Sequence, residues 1–201
     1  GYTFDGWYSD AGYDHLLSNE ETFEFVPAGP LRHIYPVFMP GEIQLDALNT
    51  ANCYIAPELL RDYSFDATVQ GNGCATLNIT PQRLSGAYAR LVWETGTQAN
   101  SVISSLGYDG SRIRFRTGTQ QGNALIGLFN AGGECVWSWH IWVANYDPES
   151  SAQKYSSGDI FMDRNLGTVG TDYTKVTACG LYYQWGRKDP FPHPASFTNN
   201  A

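Results

Sequence analysis

Apolar and polar positions alternate with a period of two along much of the chain. That spacing turns one face of a strand to a core and the other to water. Tyr63, Phe65, Ala67 and Val69 share one face of their segment. Ile113 and Phe115 alternate with Arg112, Arg114 and Arg116, which predicts an apolar inner face and a charged outer one. The strongest case is the stretch from Cys135 onward. Trp137, Trp139, Ile141 and Val143 fall on one face, and Val136, Ser138, His140, Trp142 and Ala144 on the other. The first face is wholly apolar, so Trp137 and Trp139 are expected in a core. The second mixes apolar and polar groups and needs a cover. Leu181, Tyr182, Tyr183 and Trp185 are the expected cover.

Further short strands are predicted at residues 51–56, 62–69, 74–79, 87–94, 101–108, 112–117 and 123–129. Turn signals separate them at 70–73, at Asp109-Gly110 and at 130–133. Strands about 8–12 residues apart with such turns predict a β-sandwich of immunoglobulin-like type over residues 40–145. Ahead of it, three strands are expected in residues 1–39: around Tyr2–Tyr8, at Phe23 and Phe25, and at Ile34–Phe38. Met39–Glu42 reads as a linker. Residues 146–201 are expected to form an irregular, aromatic-rich extension packed on the sandwich. It holds a polar loop at 145–158, a short apolar strand within 159–169, and one or two helical turns within 180–187. The fold class is therefore mainly β.

Composition sharpens this reading. Charged residues make up 16% of the chain, below the usual level of roughly 25%. Aromatics reach 14% and glycines number 21, which suits short strands and tight turns. The net charge of −8 argues against nucleic acid as a partner. No apolar run approaches the ~18 residues that a membrane-spanning helix needs. The chain opens on Gly-Tyr-Thr-Phe with no signal peptide and is expected to be a mature fragment. Four cysteines, Cys53, Cys74, Cys135 and Cys179, form no Cys-x-x-Cys pair. They allow three full disulfide pairings, and buried free thiols are an equal alternative.

Gly1-Tyr-Thr-Phe-Asp-Gly-Trp-Tyr8, the polar turn after it, and the aromatic segments ending at Phe38 resemble the later half of the Listeria–Bacteroides repeat, the internalin B type. The resemblance covers residues 1 to about 38. It implies a partial β-grasp-like unit and a stalk, spacer or adhesive role in a bacterial surface protein. The segments at Ala51–Ile55, Gly122–Val143, Phe161–Gly167 and Gly180–Phe191 resemble blocks of large secreted or surface proteins of Bacteroidetes. Asp163-Arg164-Asn165-Leu166 and Tyr183-Gln184-Trp185 are also similar to elements of the Fibrobacter succinogenes major paralogous domain. These resemblances imply an exported protein, extracellular or on the outer-membrane surface, of the kind that includes lipoproteins. They carry no assigned activity.

Candidate chemistry is sparse. His15, His33, His140 and His193 lack zinc-site spacing, and no nucleophile elbow or phosphate-cradling loop is present. No cofactor is expected. Asp109, Asp147, Glu149 and Asp159 offer loop oxygens to a structural cation such as calcium, although solvated loops explain them. Asp163, Arg164, Asn165 and Arg187, Lys188, Asp189 are expected to form hydrogen bonds pinning the C-terminal segment to the sandwich. The expected function is non-enzymatic adhesion or display. The alternative is a carbohydrate-binding module taking host or dietary glycans, with Trp142, His140, Tyr183, Trp185 and Arg187 as ligand residues. Host surface proteins are further candidate partners, and a glycan hydrolase is a third reading. A histidine near a serine or cysteine would favour an enzyme.

Overall fold

A computed structural model describes residues 2–26, 29, 33–71 and 81–193. The chain divides into two compact units, Gly1–Glu42 and Ile43–Ala201. The fold is mainly β, as the alternation predicts.

The first unit is a three-stranded antiparallel sheet. Strand β1 (Tyr2–Tyr8) lies between β2 (Leu16–Ser18) and β3 (Tyr35–Pro40). The strand expected at Phe23 and Phe25 is not formed; β2 takes its place. The cause is the turn. The Asp10 carboxylate accepts hydrogen bonds from the backbone N–H groups of Gly12, Asp14 and His15, and Ser9 N donates to His15 O. This closes the turn early and brings Ser18 opposite Trp7. Phe23 instead lays its ring 5.9 Å from that of Trp7. At Gly6, β1 bulges against β3, and a Cβ would meet the Ser18 carbonyl at 2.9 Å. Glycine is required there.

The second unit contains ten strands among the described residues: β4 (Ile43–Gln44), β5 (Cys53–Ala56), β6 (Asp62–Asp66), β7 (Tyr88–Glu94), β8 (Ile103–Tyr108), β9 (Arg112–Thr117), β10 (Gly122–Phe129), β11 (Cys135–Val143), β12 (Gln153–Lys154) and β13 (Ile160–Phe161). Two four-stranded sheets, ordered β5-β11-β10-β7 and β4-β6-β9-β8, share one core. Pairing is antiparallel except for β4 with β6 and β5 with β11, which are parallel. The segment from Ile43 to Ala56 thus supplies one edge strand to each sheet. The expected strand at 74–79, with Cys74, lies outside the described residues.

Aromatic rings join the sheets. Tyr54 stacks on Phe65 at 5.1 Å, and Phe65 meets Trp139 at 5.2 Å. Trp139, Ile141 and Val143 have no exposed surface, and Trp137 packs at the margin of the same core. On the opposite sheet, Ile113 and Phe115 point inward. The arginines between them pair outward: Arg112 with Asp46 at 2.6 Å, Arg116 with Asp62 at 2.7 Å, and Arg114 with Asp109. Gly110, at φ +97°, closes the β8–β9 hairpin.

After β11 the chain is irregular. Strands β12 and β13 form a two-stranded ribbon whose Ile160 and Phe161 are exposed, so the apolar strand expected near 160 joins no core. The helical turns expected at 180–187 are also absent. Tyr182 instead bridges to Phe191 around a turn in which Arg187 N donates to Gln184 O and Gly186 takes φ +78°. The short 3-10 turn of this region falls earlier, at Val176–Ala178.

Candidate functional site

The mixed face of β11 is the most chemically varied surface of the second unit. Strand alternation places Ser138, His140 and Trp142 on it. Their neighbours are fixed by register: His140 lies opposite Cys53 on β5 and Leu125 on β10, and Trp142 lies opposite Asn123.

The C-terminal segment covers this face, largely through backbone. Gly167 O accepts from Asn123 Nδ2 at 2.7 Å, and Thr168 O accepts from Trp142 Nε1 at 3.1 Å. Farther along, Lys188 Nζ donates to Ser138 O at 2.8 Å, and Ser138 Oγ donates to the Asp189 carboxylate at 2.7 Å. The lysine also sits 4.4 Å over the Trp137 ring. Lys188 and Asp189 therefore pin the segment as expected. Asp163 and Arg164 pair with each other at 2.8 Å, and the guanidinium lies 4.1 Å over Tyr146, whose ring packs on Trp142. The arginine holds the Asp163 carboxyl below the usual carboxylate range. Arg187 takes no part in this pinning; it stacks 4.8 Å over Phe191.

The five expected ligand residues are dispersed. Trp142 and His140 are buried, with the Trp142 indole closed in by Tyr146 and its N–H occupied. Tyr183 keeps exposed surface, and desolvation, with the nearby Cys53 as a lesser cause, pushes its phenol up to about 12. Trp185 is 100% exposed at the tip of the Tyr182–Phe191 turn. The expected cover by Leu181, Tyr182, Tyr183 and Trp185 is thus corrected in part: the Tyr182 and Trp185 rings are exposed, Tyr183 is partly desolvated near Cys53, and Gly167, Thr168, Lys188 and Asp189 supply the hydrogen bonds that hold the cover.

Beside Arg187 and Asp189 an apolar groove of about 500 Å³ is lined by Val92, Trp93, Leu125 and Phe191. Among the described residues, no group of three His, Cys, Asp or Glu side chains converges on a metal position. Cys53, Cys135 and Cys179 are free thiols with exposed surface, unlike the buried thiols or disulfides considered from sequence.

What sequence reasoning missed is a hydrogen-bonded row on the mixed face. Cys53 Sγ lies 3.0 Å from His140 Nδ1, and His140 Nε2 lies 2.9 Å from Asn123 Oδ1. These residues come from three strands, and only the register of β5 against β11 reveals the row. His140 is 4% exposed, and desolvation lowers its pKa to about 4. The unfolded imidazole takes a proton near its ordinary pKa of about 6.5, so stability is complete above that value. It falls as the pH drops toward about 4, by about 3 kcal/mol in all. Urea midpoints at pH 7, 6 and 5 should show this fall in the wild type, and His140→Gln should flatten it.

The chain matches no protein-family model, no curated protein sequence and no solved structure.

Proposed function

We propose that the chain serves a non-enzymatic exported or cell-surface protein of a Bacteroidetes-type bacterium, as an adhesion or display scaffold. In this reading a Listeria–Bacteroides-type repeat precedes an immunoglobulin-like sandwich. One observation supports it above the rest. The tryptophan-rich strand spends its rings on packing: Trp139 is enclosed between two sheets, and Trp142 is enclosed beneath the C-terminal segment. Rings so enclosed stabilise a framework and leave ligand contacts to surface residues. Protease treatment of intact cells making the tagged native protein tests the reading. The tag signal should disappear while a cytosolic marker survives. Survival of both would defeat a surface role.

A carbohydrate-binding role is the second reading, and full exposure of Trp185 favours it. A ring held clear of the protein on a tight turn offers an apolar face to a sugar. Tyr182 and Tyr183 are exposed beside it in sequence. Titration of a glycan panel against tryptophan emission should give a shift that Trp185→Ala abolishes. A silent panel removes this reading.

A further inference from the structure

We propose that Cys53 is a nucleophilic thiol with His140 as its base and Asn123 as the positioning residue, and that it takes acyl groups from activated esters and thioesters. The inference does not depend on the scaffold reading, and it departs from the non-enzymatic part of that reading.

The proton positions follow from the partners. Gly167 O can only accept, so the end of the Asn123 amide facing it at 2.7 Å is the NH2 group. The other end, Oδ1, therefore faces His140 Nε2 at 2.9 Å. An amide oxygen also only accepts, so Nε2 carries the hydrogen. The reversed amide would set two oxygens against each other at Gly167. Nδ1 is left as a bare lone pair, 3.0 Å from Cys53 Sγ. The thiol thus donates to a histidine held in one tautomer by an asparagine. Cysteine hydrolases use the same donor and acceptor order.

The surroundings hold this arrangement in place. Gly167 sits at φ +84°, and a Cβ there would meet the Leu181 side chain and come within 3.0 Å of Asn123 Oδ1. Asn52, next to Cys53, is tied to β11 twice: its carbonyl accepts from His140 N at 2.9 Å, and its side chain accepts from Trp137 Nε1 at 3.0 Å. The titratable group in contact with His140 is Cys53 on β5, and Tyr183 of the C-terminal segment lies near Cys53. Lys188 and Asp189 are engaged two residues away at Ser138. Cys53 is exposed on one side of its edge strand and crowded by protein on the other. The crowding pushes its thiol upward. With His140 lowered, the resting pair is neutral thiol and neutral imidazole.

A neutral pair suits acyl transfer. As Sγ attacks the carbonyl carbon, its proton passes to Nδ1. As the tetrahedral adduct collapses, the bond to the leaving group breaks and Nδ1 returns that proton to the departing oxygen or sulfur. The thiol becomes a thioester, the leaving group departs as an alcohol or thiol, and His140 ends neutral. Alkylation or disulfide exchange needs a base alone and would leave the second half of this cycle unused.

Acetylation of the full chain by p-nitrophenyl acetate, mapped cysteine by cysteine by mass spectrometry, tests the proposal. Cys135 and Cys179 serve as internal reference thiols. Cys53 should be acetylated at least about tenfold faster than either at pH 6. Its rate should stay flat between about pH 5 and 8, because thiol and base are both already in their reactive forms. The reference thiols should instead gain about tenfold per pH unit, following their thiolate fraction. Asn123→Ala and His140→Gln should bring Cys53 onto the reference slope. Equal rates in the wild type, or a Cys53 rate that climbs with pH like the others, would overturn the proposal even if neither variant folds.

Discussion

Trp139→Ala is expected to destabilise the second unit by about 3–5 kcal/mol, the range for removing a large aromatic from a packed core. Trp139 has no exposed surface and bridges the sheets through Phe65. Alanine would leave a void between sheets that cannot close, because each is held by its own hydrogen-bond ladder. Trp139→Phe gives a finer expectation. The indole Nε1 finds no hydrogen-bond partner among the described residues. Phenylalanine loses volume but also removes that buried donor, whose desolvation costs about 1–3 kcal/mol. Its loss should therefore be well under half that of alanine. Denaturant unfolding of the three proteins measures both steps. Equal losses for the two variants would overturn this account, because phenylalanine keeps most of the buried ring volume.

Glu94→Ala should also be damaging through a different cause, since each buried donor left unpaired costs about 1–3 kcal/mol. Glu94 ends β7 with no exposed surface. Its carboxylate accepts from the backbone N–H groups of Asn100, Val102 and Ile103. One side chain thus satisfies three donors in the loop that carries the chain from one sheet to the other. Alanine leaves the Val102 and Ile103 donors buried without an acceptor and deletes the contact that shapes the loop. Hydrogen exchange provides the site-specific check. The amides of Val102 and Ile103 should lose protection in Glu94→Ala beyond what the global loss of stability accounts for. Glu94→Gln should fall between, since it keeps one carbonyl oxygen but aims an amide NH2 at the remaining donors.

The inward and outward residues of β6, β9 and β11 were legible in the sequence, because a period-two pattern assigns faces without knowledge of the partners. Trp139, Phe65 and Phe115 followed from alternation alone. The hairpin at Asp109-Gly110 was equally legible, since its turn needs a residue that accepts positive φ. Three things were not. Asp10 caps its turn through three backbone donors, and no propensity at Phe23 or Phe25 signals that the strand is displaced to Leu16–Ser18. The Cys53–His140–Asn123 row was invisible for a related reason. Its members come from strands far apart in the chain, and a parallel pairing between β5 and β11 leaves no local mark. The five expected ligand residues suffered the same limitation. Residue type flagged Trp142 and Trp185 alike, whereas only the path of residues 163–193 buries one and leaves the other in water.

The parallel pairing of β5 with β11 also governs how the molecule can be made. Strand β11 occupies an interior place between β5 and β10 and is the final strand of either four-stranded sheet to leave the ribosome. Until it emerges, β5 lacks its partner, because His140 lies 87 positions beyond Cys53. A nascent chain therefore carries an open apolar edge while the intervening strands are made, and the sandwich closes only when its middle arrives.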